Sequence, residues 1–388
     1  MKVAIIGAGP AGIYTALLLE EFKGEVHLYE QNKDIGEKLK TTGGGRMNVT
    51  NRVFSENEFS SQQQRWVQRL WKNPHFENRY KILEKLGIEY KWEKNRAILE
   101  SQDAIAEVAR LKTKIINQEN IKLHLNTKIQ SITKSETGFV VNDTTYDKII
   151  LTTGGMYRMG DLGPAAQIYQ LQTDLDHTIT DVCPSLCALI FKDKPLREFS
   201  GISFVGRLTD TQSNQSITDD LLITHFGISG PAALDFSSFA GENVQLSFIT
   251  KVSENEFLDQ FNELRSGKNS IKKFLKQFIP NRLVEFHLQR AQITQDFMSD
   301  LPKAQLKTLI QSLFHYPIPP RQQNVYPGSW TTKGGVDVSE VQTKNLESKK
   351  VPGVYFAGEV LDCNGLCGGY NISFAMISAQ IVADHLMS

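Results

Sequence analysis

The first twelve residues constrain this chain more than any other stretch. "KVAIIG" is a short apolar run rich in Val and Ile, the signature of a buried strand. "GAGPAG" follows, with Gly7, Gly9 and Gly12 in G-x-G-x-x-G spacing. "IYTALLLEEF" then sets apolar residues at helical spacing, and "EVHLYE" reads as a second strand ending in Glu30. A strand before the glycines, a helix after them and an acid closing the next strand form the context in which this motif binds a dinucleotide. Gly7 allows the tight turn, Gly9 lets the backbone approach a pyrophosphate, and Gly12 lets helix and strand pack closely. Pro10 and Ala11 open the helix, where a missing N–H costs nothing, and the helix start offers free N–H groups to phosphate. Glu30 suits a ribose diol and repels a 2′-phosphate, so NAD and FAD remain.

Three later segments favour FAD. "GEKLKTTGGGRMNVTN" begins soon after Glu30, where a plain nicotinamide domain would continue with a helix and a strand. Its glycines let backbone N–H groups crowd a flat or anionic ligand. Arg46 supplies a planar cation for phosphate or a ring edge. Lys38, Thr42, Gly43, Gly44, Gly45, Arg46 and Asn48 are candidate contacts, and Asn51 is placed to hydrogen-bond the ring or lock the loop. "YDKIILTTGG" runs a strand into Thr153, Gly154 and Gly155, and "GVYFAGEVLD" runs one into Gly358 and Glu359. Gly368 and Gly369 then precede an apolar helix, with Tyr370, Asn371 and Ile372 at its start. A helix start beside the pyrimidine edge of a flavin would stabilise its reduced, negative form. Ile129 completes the candidate contacts.

These motifs resemble those of the bacterial FAD-binding proteins known as NAD(P)/FAD-dependent oxidoreductases, or the aminoacetone oxidase family, which includes BaiN-like bile acid enzymes. Thr42 to Asn51 match its glycine loop, with Met47 where Cys is usual. Gly334, Gly335, Val336, Ser348, Lys349, the run Pro352 to Asp362, and Gly368 to Asn371 match its C-terminal pattern. "HFGISGPAAL" and Arg96 fit as well. The segment "MYRMGDLGPAAQIY" after Gly155 departs from the pattern. The resemblance implies an FAD-dependent oxidoreductase, with an oxidase activity suggested by one of the family's names.

At 388 residues the chain exceeds one usual core. The expected fold is α/β: a discontinuous FAD-binding Rossmann-like domain of the glutathione-reductase type over 1–190 and 326–388, with an insert over 191–325. The insert divides into a β-barrel-like part to about 252 and a helical part from about 253. A charged helical stretch over 56–118 and a meander beginning at "IKLHL" precede it. No apolar run is long enough to span a membrane, and the interrupted N-terminal stretch is no signal peptide, so a cytoplasmic location is expected. Lys plus Arg and Asp plus Glu both number 43, which argues against a dedicated nucleic-acid binder without excluding a local basic patch. The cluster Lys268, Lys272, Lys273, Lys276, Arg282 and Arg290 reads as the wet side of a helix pair.

Cys183 and Cys187, like Cys363 and Cys367, are spaced too widely for a usual zinc site, so no metal is expected and thiols are favoured over a redox disulfide. His225, before the "GISGP" turn, is the candidate acid or base. The expected activity is hydride transfer between a small organic substrate and FAD, with NAD(P)H or oxygen as redox partner. Substrate entry is expected at the domain interface. Two alternatives stand beside it: a tRNA-modification-type flavoprotein and a non-catalytic flavin-binding or redox-sensing protein.

Overall fold

The computed structural model describes residues 1–156, 169–191, 193–238, 243–319 and 328–388. The chain divides into two compact units, Met1–Cys183 with Trp330–Ser388, and Pro184–Ser329.

In the first unit the apolar runs of both chain ends meet in one sheet. Strands Val354–Phe356, Lys148–Leu151, Lys2–Ile6, Glu25–Tyr29 and Ile121–His124 lie in that order, all parallel. Parallel sheets are covered on both faces, so their strands are near-continuously apolar. "KVAII" and "KIIL" obey this, with every residue after the leading lysine buried. Helix Pro10–Leu18 packs on the C-terminal helix Tyr370–Met387. The latter is buried without interruption from Ser373 to Ala383, as an interior helix should be.

The meander starts later than its sequence suggests. Ile121–His124 joins the parallel sheet as an edge strand, and the meander is Thr133–Ser135, Gly138–Val141 and Thr144–Tyr146. An edge strand is only half covered, and Ile121–His124 has Ile121 buried, Lys122 exposed and the next two residues intermediate, which imitates a hairpin strand. Asn142 and Asp143, both left-handed at φ 46° and 62°, make the turn between the last two meander strands. The charged stretch over 56–118 is also more than helical. Helices Gln64–Leu70 and Arg79–Leu86 precede strands Tyr90–Glu93 and Arg96–Leu99, and the second of these strands pairs with Asn48–Asn51. Helix Ala104–Ile116 follows, its first turn capped by Asp103, whose Oδ1 accepts from the N–H groups of Ile105 and Ala106 at 3.0 and 2.9 Å.

The second unit carries a six-stranded sheet in the order Leu189–Ile190, Gly227–Ser229, Ser216–Ile223, Ser203–Asp210, Val244–Ser247, Tyr316–Pro317, all antiparallel. Ser203–Asp210 alternates outward and inward residues throughout, as a half-buried strand must. Helices Glu254–Leu264, Ile271–Leu275, Asn281–Arg290 and Lys303–Phe314 share one apolar core with this sheet. Among the described residues no helix is long and apolar enough to cross a membrane.

His287 sits inside that core, its Nδ1 2.8 Å from Ser312 Oγ and its ring edge-on to Phe248. Burial, aided by Arg290, pushes its pKa down to about 3. The unfolded chain takes up this proton near the ordinary histidine value of about 6.5, so the folded form loses ground as pH falls from there. The wild type should therefore lose thermal stability steadily from pH 7 to pH 5. His287→Leu should remove a measurable part of that slope, and equal slopes in both proteins would contradict the assignment.

Candidate functional site

The glycine turn after the first strand is fixed by backbone packing. A Cβ on Gly12 would lie 1.9 Å from the Gly7 carbonyl oxygen, and one on Gly7 (φ 104°) would lie 2.6 Å from the Thr152 carbonyl oxygen. Thr152 Oγ1 ties the two strands by donating to the carbonyls of Ile6 and Gly7 at 3.0 and 2.7 Å. Gly9 is different: a Cβ there meets nothing within 4 Å. It caps the first helix in extended backbone, with Pro10 and Ala11 beginning the helix. The helix start is thus open on the side where an anion would sit.

Glu30, 8 % exposed, stands at the end of the second strand. Its Oε2 accepts from Ala8 N–H at 2.9 Å, and its Oε1 accepts from the backbone and side-chain N–H groups of Asn32 at 2.9 and 2.7 Å. Oε2 keeps accepting capacity for a hydroxyl. Ile129 is buried in the core of the same unit.

The triple-glycine loop takes a left-handed path, with φ of 58°, 67° and 86° at Gly43, Gly44 and Gly45. A Cβ on Gly44 or Gly45 would meet no atom within 4 Å, whereas one on Gly43 would press on Asn48 Oδ1 at 3.2 Å. Asn48 therefore supports the loop from one side and leaves its next two residues open. Thr42 Oγ1 donates to the Leu39 carbonyl at 2.9 Å, and Met47, where a cysteine is usual in the resembling motif, is fully buried. Arg46 is directed to an exposed ion pair with Glu93 at 2.9 Å. Lys38 instead pairs with Glu359 from the far end of the chain. The other oxygen of Glu359, Oε1, accepts from Thr332 N–H at 2.9 Å.

The turns after the two remaining central strands close around the same region. Gly358 must be glycine because its Cβ would lie 2.7 Å from Ala11 Cβ, and its N–H donates to Ser378 Oγ at 2.9 Å. A Cβ on Gly155 would meet Thr332 Oγ1 at 2.6 Å, while Gly154 is open. Thr153 Oγ1 accepts from Gln172 Nε2 at 2.8 Å, and Gln172 is fully buried with no hydrogen-bond partner for Oε1 among the described residues. The atypical segment after Met156 lies outside the described residues.

The C-terminal helix start is clamped to the loop strand. Gly369 (φ 99°) passes so near Thr50 that a Cβ would approach its backbone N and O at 2.8 Å. Asn51 Nδ2 donates to the Gly368 carbonyl at 3.2 Å, and Ser373 Oγ donates to the Val49 carbonyl at 3.0 Å. Asn371 grips Gly365 twice, accepting its N–H at 2.9 Å and donating to its carbonyl at 2.7 Å. Tyr370 stacks on Phe54 at 5.7 Å, and Ile372 packs against the core.

Sequence reasoning did not single out Arg79. Its guanidinium is buried, donating to Thr50 Oγ1, to the carbonyls of Phe76 and Asn51 and to Tyr80 Oη. It also lies 4.5 and 4.4 Å from the ring centres of Phe54 and Tyr80. Among the described residues it has no carboxylate partner. An arginine in a charged helix carries no sequence mark of this role.

His225 belongs to the second unit, exposed and with Nδ1 2.8 Å from Ser200 Oγ. In the same unit Lys272 pairs with Glu285 and Arg290 covers Tyr316. The four cysteines form no disulfide, and burial pushes the Cys363 thiol up. Among the described residues no three His, Cys, Asp or Glu side chains converge as metal ligands. Ser348, His177 and Glu340 line up as a triad would, at 2.9 and 3.1 Å, but Ser348 is buried and its Oγ accepts the N–H groups of Lys350 and Val351. That arrangement is internal scaffolding.

The donor set suits FAD. An open helix start, a buried carboxylate, glycine turns with free space and a buried acceptor without a partner all belong to one unit. Gly9→Val should fold normally yet retain far less FAD, read as the ratio of flavin to protein absorbance. Gly12→Ala should lower the melting temperature of the apoprotein itself. Full flavin content in Gly9→Val would show that nothing approaches the helix start there.

Comparison with known proteins agrees with this architecture. Residues 1–385 match the family described as HI0933-like protein Rossmann domain. The chain is 31% identical over 408 residues to "Ribosomal RNA dihydrouridine synthase" of Escherichia coli strain K12, covering 99% of this chain and 97% of that protein. It is 26% identical over 402 residues to "3-dehydro-bile acid delta(4,6)-reductase" of Clostridium scindens, covering 98% and 97%. Among solved structures, a 3-ketosteroid-delta4-(5alpha)-dehydrogenase from Rhodococcus jostii RHA1 shares the fold, with a TM-score of 0.50, 12% identity, and coverage of 100% of this chain and 96% of that one. The chain belongs to the HI0933-like family and is an FAD-dependent oxidoreductase.

Proposed function

We propose that this protein reduces a carbon–carbon double bond conjugated to a carbonyl, and that its substrate is a uracil base in RNA. The observation that carries this reading is the full-length likeness to two proteins whose names differ in substrate but share a chemistry. Dihydrouridine is uridine with two hydrogens added across C5=C6, a bond conjugated to the C4 carbonyl. A Δ4,6 reductase acting on a 3-oxo steroid acid saturates a bond conjugated to its ketone. In both, a hydride adds to the end of the double bond farther from the carbonyl and a proton to its other end.

Bound FAD would supply a two-electron carrier between NAD(P)H and the substrate. Gly9 and the first helix start would hold its pyrophosphate, and Glu30 its adenosine ribose. Gly44, Gly45, Gly154 and the Lys38–Glu359 pair would line the path toward the ring. The start of the C-terminal helix, held by Thr50, Asn51 and Asn371, would present its positive end to the pyrimidine edge of the flavin. This last task depends on orientation, and the clamp between the loop strand and the helix start supports it.

The second relative favours a small enone as the other reading. Both are tested together. The holoenzyme is reduced anaerobically with NADPH or NADH and offered either uridine-containing ribosomal RNA or a conjugated steroid ketone. The proposal expects flavin bleaching by the nucleotide, reoxidation by RNA, and a mass gain of two hydrogens on uridine. Reoxidation by the ketone alone would favour the small-molecule reading. A flavin that no pyridine nucleotide bleaches, but that oxygen keeps oxidised after reaction with a reduced substrate, would establish an oxidase instead.

A further inference from the structure

An enzyme that works on a base must take it out of its stack and support the neighbouring bases that it disturbs. The first unit carries side chains suited to that task. Tyr80, Tyr90 and Trp92 are all partly exposed and form one cluster, with ring centres 5.7 to 6.3 Å apart. Tyr90 and Trp92 stand two apart on a strand, so both rings face one way, and Tyr80 reaches them from helix Arg79–Leu86. Arg52, exposed, lays its guanidinium 4.6 Å from the Trp92 ring centre.

Two guanidinium groups stand against these rings, and Glu84 of the same helix as Tyr80 also acts on Tyr90. The guanidinium groups are those of Arg52 and the buried Arg79, and neither has a carboxylate partner among the described residues. Lys81 and Lys85 are exposed on the same helix as Tyr80. Arg52 also continues directly from the loop strand Asn48–Asn51, and its N–H donates to the Asn95 carbonyl at 2.8 Å. The cluster is therefore built onto the strand that clamps the helix start. Tyr80, Tyr90 and Trp92 pack against the core and stay partly exposed, and partly exposed aromatic rings beside guanidinium groups are what single-stranded nucleic acid uses: ring faces for bases and cations for the backbone.

We infer that Trp92, Tyr80, Tyr90 and Arg52 form a stacking platform for unpaired bases of an RNA substrate. The inference rests on the proposed RNA reading and assigns it a surface. Binding of the FAD-loaded protein to a single-stranded, uridine-containing RNA oligonucleotide is measured by fluorescence anisotropy across a salt series, for the wild type, Trp92→Ala, Arg52→Ala and Arg52→Glu. Trp92→Ala should weaken binding on the order of tenfold, the usual effect of removing one stacking ring. Arg52→Glu should weaken it further and flatten its salt dependence. Flavin absorbance and anaerobic bleaching by pyridine nucleotide should be unchanged in all variants, which shows that they fold and hold FAD.

A duplex RNA of the same length keeps its bases stacked, so Trp92→Ala should not affect its binding. Equal losses on duplex and single strand would make the face a charge-only surface and overturn the stacking platform. So would wild-type affinity in both Trp92→Ala and Arg52→Glu, or failure of the wild type to bind RNA. If the wild type binds as expected yet forms no dihydrouridine, the platform stands and the proposed reaction falls.

Discussion

The architecture of the first unit depends on one contact between residues far apart in the chain. Strand Asn48–Asn51 and the start of helix Tyr370–Met387 meet so closely that Gly369 cannot carry a side chain. Asn51 spans 317 positions to bond the Gly368 carbonyl, and Ser373 spans 324 to bond that of Val49. Closing so long a loop has an entropic cost, which two hydrogen bonds could not offset alone. The apolar burial of the C-terminal helix against the first helix carries most of it. The hydrogen bonds then set the angle and register of the helix start. The role proposed for this helix start needs that register, because a helix dipole acts only within about the first turn.

Buried charge is arranged to support the same contact. Arg79 lies beneath the loop strand and satisfies Thr50 and Asn51, two residues of the clamp. A buried cation costs several kcal/mol unless it is hydrogen-bonded, and here oxygen atoms and two ring faces do what a carboxylate usually does. The Lys38–Glu359 pair similarly joins the glycine-loop approach to the turn after the last parallel strand. Each device links an N-terminal segment to a C-terminal one. The unit therefore holds its two chain ends together by packing, hydrogen bonding and charge at once, and losing any one of them would loosen the turns proposed to face the cofactor.

Much of this was legible in the residues. The first strand, its glycines and Glu30 announce their geometry because each glycine meets a local steric demand that spacing alone expresses. The turns at Gly154 and Gly358 are equally visible, since a buried strand running into glycine has few other meanings. Less visible was anything set by partners distant in sequence. Ile121–His124 carries an alternating pattern that suits a hairpin as well as a parallel edge, and only its neighbour Glu25–Tyr29 decides. Arg46 suggests an anion partner by its charge, yet Glu93, brought near by the antiparallel pairing of strands at 48–51 and 90–99, takes its guanidinium. Arg79 was missed for the same reason: nothing local separates an arginine that faces solvent from one that faces carbonyl groups.

The glycines carry the final distinction, one that sequence cannot make. Gly7, Gly12, Gly358 and Gly369 are excluded from bearing a side chain by the protein itself, because backbone or Cβ atoms already occupy the space. Gly9, Gly44, Gly45 and Gly154 meet no such obstacle. Gly44, Gly45 and Gly154 have positive φ, where glycine is favoured whatever the space, while Gly9, at φ −74°, is marked by its open surroundings alone. The four open glycines stand in three turns, at the start of the first helix, in the loop after strand Glu25–Tyr29 and after strand Lys148–Leu151, and the packed glycines hold turns of the same unit in place. The packed set builds the frame and the open set leaves room beside it, which is the arrangement that the proposed FAD site requires, with backbone and a carboxylate from one set of turns and a helix start from another.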